Sequence, residues 1–200
     1  MANSINDLVS RFERIQEMQR HQPAQPVQRV GHDPAAGSPS DEALGIEACR
    51  EALAAAQEGN YGVGAILLDP SGAIVQRGHN QAFQPMFRSD LHAEMVVMNA
   101  FENSRPTSVD MRGYTLICSL EPCPMCLGRL LIAGVEQVKF LARDELGGMV
   151  SHIDHLPAAW QNLRRRQQFV AAEVSEELRA LSLELFLINL EALRSKLWDR

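Results

Sequence analysis

Apolar positions recur at helical spacing near the start of the chain. Ile5, Leu8, Val9, Phe12, Ile15 and Met18 form one stripe, which predicts an amphipathic helix. The rhythm then stops. From His21 to Ser40 four prolines stand among Gly, Ser and Gln with no period, the pattern of a flexible linker. A second helix is expected from Ser38-Pro39-Ser40, where a capping serine and a first-turn proline precede Asp41 and Glu42, to about Gln57 and the stop at Gly59. Two strands follow, Gly62–Leu68 and Ala73–His79, joined by the turn sequence Asp69-Pro70-Ser71-Gly72. Helices at Leu91–Asn103 and Pro124–Ala133 alternate with strands at Tyr114–Ser119 and Val135–Ala142. A short helix at Pro157–Arg166, a short strand at Gln168–Ala172 and a long helix at Ser175–Trp198 complete the pattern. Strands separated by helices require crossovers, so the order predicts a three-layer α/β/α domain on a mixed sheet of about five strands, its last strands parallel. The chain divides into an arm (1–20), a linker (21–40) and one main domain (41–200).

Composition narrows the class. Of 200 residues, 46% are hydrophobic, enough for a core, and no apolar run reaches the roughly 18 residues of a membrane span. The N-terminal stretch lacks the basic start and apolar segment of a signal peptide, so a soluble cytoplasmic protein is expected. Charge is uneven. Residues 1–40 hold four basic and four acidic groups and 160–200 seven and six, whereas 41–159 hold eight and fifteen, a balance of −7. A polyanion is held by Lys and Arg, so this distribution favours a small-molecule substrate over nucleic acid.

Four cysteines do not make a disulfide framework. Cys49 and Cys118 sit in apolar segments as small core residues, while Cys123 and Cys126 form a C-x-x-C. Pro124 suits the first position of a helix, which makes Cys123 its cap and puts Cys126 on the same side of the first turn. A helix N-terminus favours negative charge, so both sulfurs are expected to ionise readily. His92 opens the preceding helix in His92-Ala93-Glu94. Two thiolates and an imidazole leave a fourth metal position open, the pattern of a catalytic rather than a structural Zn2+. Such a metal lowers the pKa of a bound water to about 7, and Glu94 beside it can act as the proton shuttle.

H-A-E followed about thirty residues later by P-C-x-x-C is the zinc nucleobase-deaminase signature. The stretch from Ser119 to Gly128 resembles the cytidine/deoxycytidylate deaminase-like superfamily, closest to the branch of guanine deaminases and tRNA adenosine deaminases. The resemblance covers roughly 41–200 and identifies this segment as the zinc deaminase domain. It implies His92, Cys123 and Cys126 as zinc ligands and Glu94 as the catalytic residue. It implies Asn80 as a substrate contact, with a second contact from the backbone of Ala93. It also implies a homodimer or larger assembly. The chain departs from the branch between Asn80 and His92, where Arg88-Ser89-Asp90-Leu91 precedes H-A-E and the spacing is one residue longer. No segment matches the substrate-capping tail of guanine deaminases.

Other features carry two readings. His79 reads equally as a pocket residue or a strand-end surface histidine. Phe83, Met86 and Phe87 suit either stacking on a flat heterocycle or packing within their loop. His152, Asp154 and His155 read as a polar loop rather than a second metal site, and Arg164–Arg166 as a solvated run. The apolar run Leu181–Leu190 offers core on one face and interface on the other. Hydrolytic deamination of a free nucleobase or nucleoside leads. The alternatives are adenosine deamination in tRNA, which the likeness of Leu141–Met149 to that branch supports, and a non-catalytic zinc-stabilised protein.

Overall fold

The computed structural model describes residues 4–21, 39–105, 107 and 110–199. Most of the linker expected over 21–40 lies outside the described residues. The elements run α1 (Ile5–His21), α2 (Asp41–Gln57), β1 (Gly64–Leu68), β2 (Ile74–His79), α3 (Ala93–Asn103), β3 (Thr115–Leu120), α4 (Pro124–Ala133) and β4 (Gln137–Ala142). A 3-10 turn (Val150–His155) leads to α5 (Ala158–Arg164), β5 (Gln168–Ala171), α6 (Glu176–Leu187) and α7 (Leu190–Trp198).

The five strands make one mixed sheet in the order β2-β1-β3-β4-β5. β1 is antiparallel to β2 and β3, while β3, β4 and β5 are parallel. Side chains alternate across the sheet with a period of two, and both faces are covered. Ile66, Leu68, Ile117 and Leu141 pack with α1, α2 and α6, joining Phe12, Leu53, Leu178 and Leu185 in one core. Ala65, Leu67, Leu116, Val138 and Phe140 face the other way, into a core with Val97, Met98, Phe101 and Leu130. The α/β/α layering expected from the pattern is thus present.

Local chemistry fixes the helix starts. The Ser4 side chain and backbone N–H both donate to Asp7, whose own N–H returns to Ser4 Oγ, a reciprocal cap on α1. Ser40 accepts from Ala43 N–H at the start of α2, and Ser175 accepts from Leu178 N–H at α6. α1 lies on its own chain: Leu8, Phe12 and Ile15 are buried against α2 and α6, and Arg11 pairs with Glu184 at 2.5 Å.

Two features depart from the expected elements. The long helix over Ser175–Trp198 is two helices, broken at Ile188 and Asn189. Asn189 Nδ2 donates to the carbonyls of Ala56 and Asn60, both at 2.9 Å, so the chain turns where this amide anchors to the end of α2. α3 begins at Ala93 rather than Leu91, because His92 is extended (φ −70°, ψ 159°) and serves as the cap.

Candidate metal centre and active site

The helices α3 and α4 start side by side, at the end of β3 and after the loop that follows β2. Each opens on a candidate ligand. His92 caps α3, and Cys123 caps α4 with Pro124 in the first turn, where its missing N–H costs nothing. Cys126 lies one turn inside α4 and is fully buried. The donor atoms of His92, Cys123 and Cys126 all fall within 4.8 Å of one another, the one such group of His, Cys and acidic side chains among the described residues. Cys123 Sγ and His92 Nδ1 are 3.5 Å apart. Two donors on a tetrahedral zinc, at bond lengths of about 2.0 and 2.3 Å, stand at about that separation. The donor set therefore fits Zn2+.

The electrostatics refine the expectation for the two cysteines. A hydrogen bond from the Cys126 thiol and the neighbouring His92 lower the Cys123 pKa to about 4. Cys126 goes the other way: the hydrogen bond its thiol donates to Cys123, together with burial, pushes it well above the ordinary value. Ionising both sulfurs thus takes more than the helix N-terminus, because two adjacent anions in a buried site repel. A divalent cation supplies the missing positive charge. Burial works to lower the His92 pKa, but the hydrogen bond to Cys123 and its charge prevail, and the net shift is upward.

Glu94 is 4% exposed, and its pKa is raised first by burial and then by the negative charge of Cys123. It shares a cavity of about 170 Å³ with His92, Cys123 and Asn80. A cavity of about 150 Å³ accommodates a benzene ring, so this one has room for a flat heterocycle. Although His92 and Glu94 are two residues apart, the extended cap lets both face this space. Asn80, 2% exposed, accepts from Ala82 N–H at 3.0 Å. Ala93 is buried at the first position of α3, where a helix leaves its N–H groups without intrahelical partners.

Several wall residues had no clear signal in the sequence. Glu121, 3% exposed, accepts from Ser151 N–H at 2.8 Å and Asp144 N–H at 3.3 Å, tying the loop after β4 to the start of α4. Tyr61, Phe186, Leu190 and Arg194 close the opposite side. Asn60 holds the loop before α3 by accepting from the N–H groups of Phe83 and Gln84, both at 2.9 Å.

The two-sided readings resolve. Phe83 reaches the pocket only through Tyr61, against whose ring it packs edge-on at 5.3 Å, while Met86 and Phe87 are exposed. His79 does not line the cavity. Its Nδ1 meets Glu51 at 3.0 Å and its Nε2 meets Glu58 at 3.1 Å. Arg164 pairs with Asp154, consistent with a polar surface there.

Comparison with known proteins agrees with this geometry. A tRNA(Ile)-lysidine synthase of Deinococcus deserti is 38% identical over 161 residues, covering 72% of this chain. This chain spans only 28% of that relative's length. A tRNA-specific adenosine deaminase of Aquifex aeolicus is 33% identical over 132 residues, covering 66% of this chain and 85% of the relative. A structure solved in work on A-to-I editing by tRNA:A34 deaminases superposes with a TM-score of 0.59 at 22% identity, over 72% of this chain and 98% of the other, which shows the shared fold. Residues 39–142 match the cytidine and deoxycytidylate deaminase zinc-binding region, and they contain His92, Glu94, Cys123 and Cys126. With that match spanning half the chain and centred on the ligands that the fold brings together, the chain belongs to the cytidine and deoxycytidylate deaminase family.

Proposed function

We propose that this chain is a hydrolytic deaminase that converts adenosine in tRNA to inosine. One observation carries the chemistry: Glu94 is buried in the same small cavity as His92 and Cys123, with Cys126 behind them. The substrate assignment is supported by the identity to the Aquifex aeolicus protein over most of that protein's length. It reverses the order of preference set by the motif branch and the acidic main domain, which put a free nucleobase or nucleoside first.

The reaction exchanges an amino group for an oxo group: water adds to the amino-bearing carbon, the C–N bond breaks and ammonia leaves. Zn2+ held by His92, Cys123 and Cys126 supplies Lewis acidity that makes water a nucleophile near neutral pH. Glu94 accepts one proton from the attacking water and passes it to the ring nitrogen, then takes the second from the added hydroxyl and delivers it to the departing amine as the C–N bond breaks. Its raised pKa matches a carboxyl that must both take and return a proton. Asn80 and the N–H of Ala93 orient the base, and Tyr61, Val63 and Leu120 exclude water around it. A homodimer, implied by the family resemblance, belongs to the same proposal.

A second reading keeps the chemistry but takes a free nucleobase or nucleoside. The −7 balance over 41–159 favours it, as does the wall of Phe186 and Leu190 over the pocket. The zinc-loaded protein should form inosine in transcribed tRNA. Glu94→Ala should lose about 10²- to 10⁴-fold in rate while keeping its zinc. Ammonia release from guanine, cytosine or a free nucleoside without inosine in tRNA would install the second reading. Undiminished turnover in Glu94→Ala would overturn the mechanism under either.

A further inference from the structure

The pocket does not end at its mouth. Leu190 and Arg194, which close its outer side, also line a second cavity of about 310 Å³ that runs from Leu187 at the end of α6 along α7 past Ser195 to Trp198. The two spaces therefore abut along one helix face, with Arg194 between them and Trp198 one turn further on. Trp198 is 83% exposed, a large planar surface that the fold leaves uncovered. Arg194 is half-buried, and among the described residues no hydrogen bond or ion pair holds its guanidinium. It stands near the Tyr61 phenol, where its charge opposes the effect of burial.

Charge is sorted along this path. Glu94, Glu121 and Asp144 line the pocket, and Arg194 is its one Lys or Arg among the described residues, so the side-chain cation open to a phosphate stands at the mouth and the base belongs inside. At the mouth the sign changes to the unpaired Arg194, whose forked donors suit phosphate oxygens. Among the described residues Glu191 is the one acidic side chain on the outer groove, and it leaves the Arg194 end as the place for an anion. Beyond it, an exposed indole is the kind of surface on which a nucleobase stacks, with little preference for sequence.

We propose that this groove is a subsite for the flank of a polynucleotide substrate, with Arg194 taking the phosphate beside the reacting nucleotide and Trp198 carrying the adjacent base. The proposal rests on the tRNA reading and extends it to residues of α7. It gives a chain with an acidic main domain a local means of holding RNA: one well-placed cation and one stacking surface instead of a broad basic face.

The test is binding of a fluorescein-labelled anticodon stem–loop oligoribonucleotide to the zinc-loaded full chain, followed by anisotropy over a range of salt. Arg194→Ala should weaken binding about tenfold and reduce the slope of log K against log salt by about one phosphate contact. Arg194→Lys should keep that slope, which shows that the variant series reads charge rather than unfolding. Trp198→Ala should weaken binding about tenfold with the slope unchanged, because stacking releases no counterions. Adenosine 5′-monophosphate should compete far less well than the unlabelled oligonucleotide. The subsite is overturned if the wild type does not bind, if Arg194→Ala leaves the salt slope intact, if Trp198→Ala binds normally, or if the mononucleotide competes equally. Inosine measured on the same stem–loop separates the two ideas. Binding with these variant effects but no inosine sinks the reaction and leaves the subsite standing; inosine formed equally by all variants does the reverse.

Discussion

His79 shows how a single residue acquires a role from neighbours that sequence spacing cannot supply. At the end of β2 it stands between Glu51 at 3.0 Å and Glu58 at 3.1 Å, and the hydrogen bond to Glu51, opposed by burial and aided by Glu58, raises its pKa above 6.5. The folded protein thus binds this proton more tightly than the unfolded chain. The resulting stability is present in full below the unfolded pKa and is lost as pH rises through the folded value. Urea unfolding of wild type and His79→Gln should differ by on the order of 1 kcal/mol near about pH 6, and by less near about pH 8.5. A difference that grows with pH would contradict the cluster. The metal-site residues were legible in the sequence for the opposite reason: His92, Glu94, Cys123 and Cys126 each sit at a helix start, where local spacing and Pro124 fix their geometry. Asn60, Tyr61, Glu121 and Arg194 were not. Their partners lie on distant segments, as when Glu121 meets Ser151 across 30 residues, and no local period marks such a contact.

At the scale of elements, the pocket depends on how closely α6 approaches the segment that leads into β1 at Gly62. A Cβ at Gly62 would stand 2.1 Å from the Leu185 carbonyl oxygen, so only glycine lets the two backbones meet here. The next residue of α6, Phe186, lines the cavity, so this contact sets the position of the outer wall. Gly62→Ala is expected to cost about 1–3 kcal/mol, since the clashing atom is backbone and cannot rotate away. In thermal melts that is a fall of roughly 2–4 °C per kcal/mol for a chain of this size. Gly128→Ala is the control: its nearest neighbours are the Trp160 ring atoms at 3.6 Å, and in the middle of α4 an alanine should be neutral or stabilising. Equal melting of Gly62→Ala and wild type would mean that α6 does not rest on this contact. Element types were readable in advance because the inner strands are short apolar runs bounded by turn residues and most helices carry the helical period. The break in Ser175–Trp198 was not, since Leu, Ile and Phe run on through it and the cause, Asn189 reaching back to Ala56 and Asn60, is tertiary.

For the whole molecule, the division of labour between sheet and metal decides what zinc removal does. The two cores on either face of the sheet draw on nearly every element, and none of their residues needs the metal to be buried. The starts of α3 and α4 are another matter. Without a cation, Cys123 has a strongly depressed pKa while buried Glu94 has a raised one, and Cys126 keeps its proton, so ionisable groups that oppose one another share one small space. Away from the site, Arg129 of α4 bonds Glu102 of α3 at 2.6 Å, an ion pair whose carboxylate is about half exposed and which contributes little. The ligands from α3 and α4 are therefore the main link between these helix starts, and a metal bound only by the folded state adds RT ln(1 + [Zn]/Kd), about 4 kcal/mol at a thousandfold excess over Kd. Stripping zinc with a chelator should leave the far-ultraviolet circular dichroism nearly unchanged and lower the melting temperature by several degrees, with both restored on adding zinc back. Amide hydrogen exchange should quicken first over residues 92–96 and 123–127, with β1 and β3 still protected. An apo protein that melts where the zinc form does, with metal content verified as zero, would show that the fold holds these side chains together without the ion. Global unfolding on chelation would show instead that the sheet cores are not self-sufficient, and would move this chain to the class of domains that fold only with their metal.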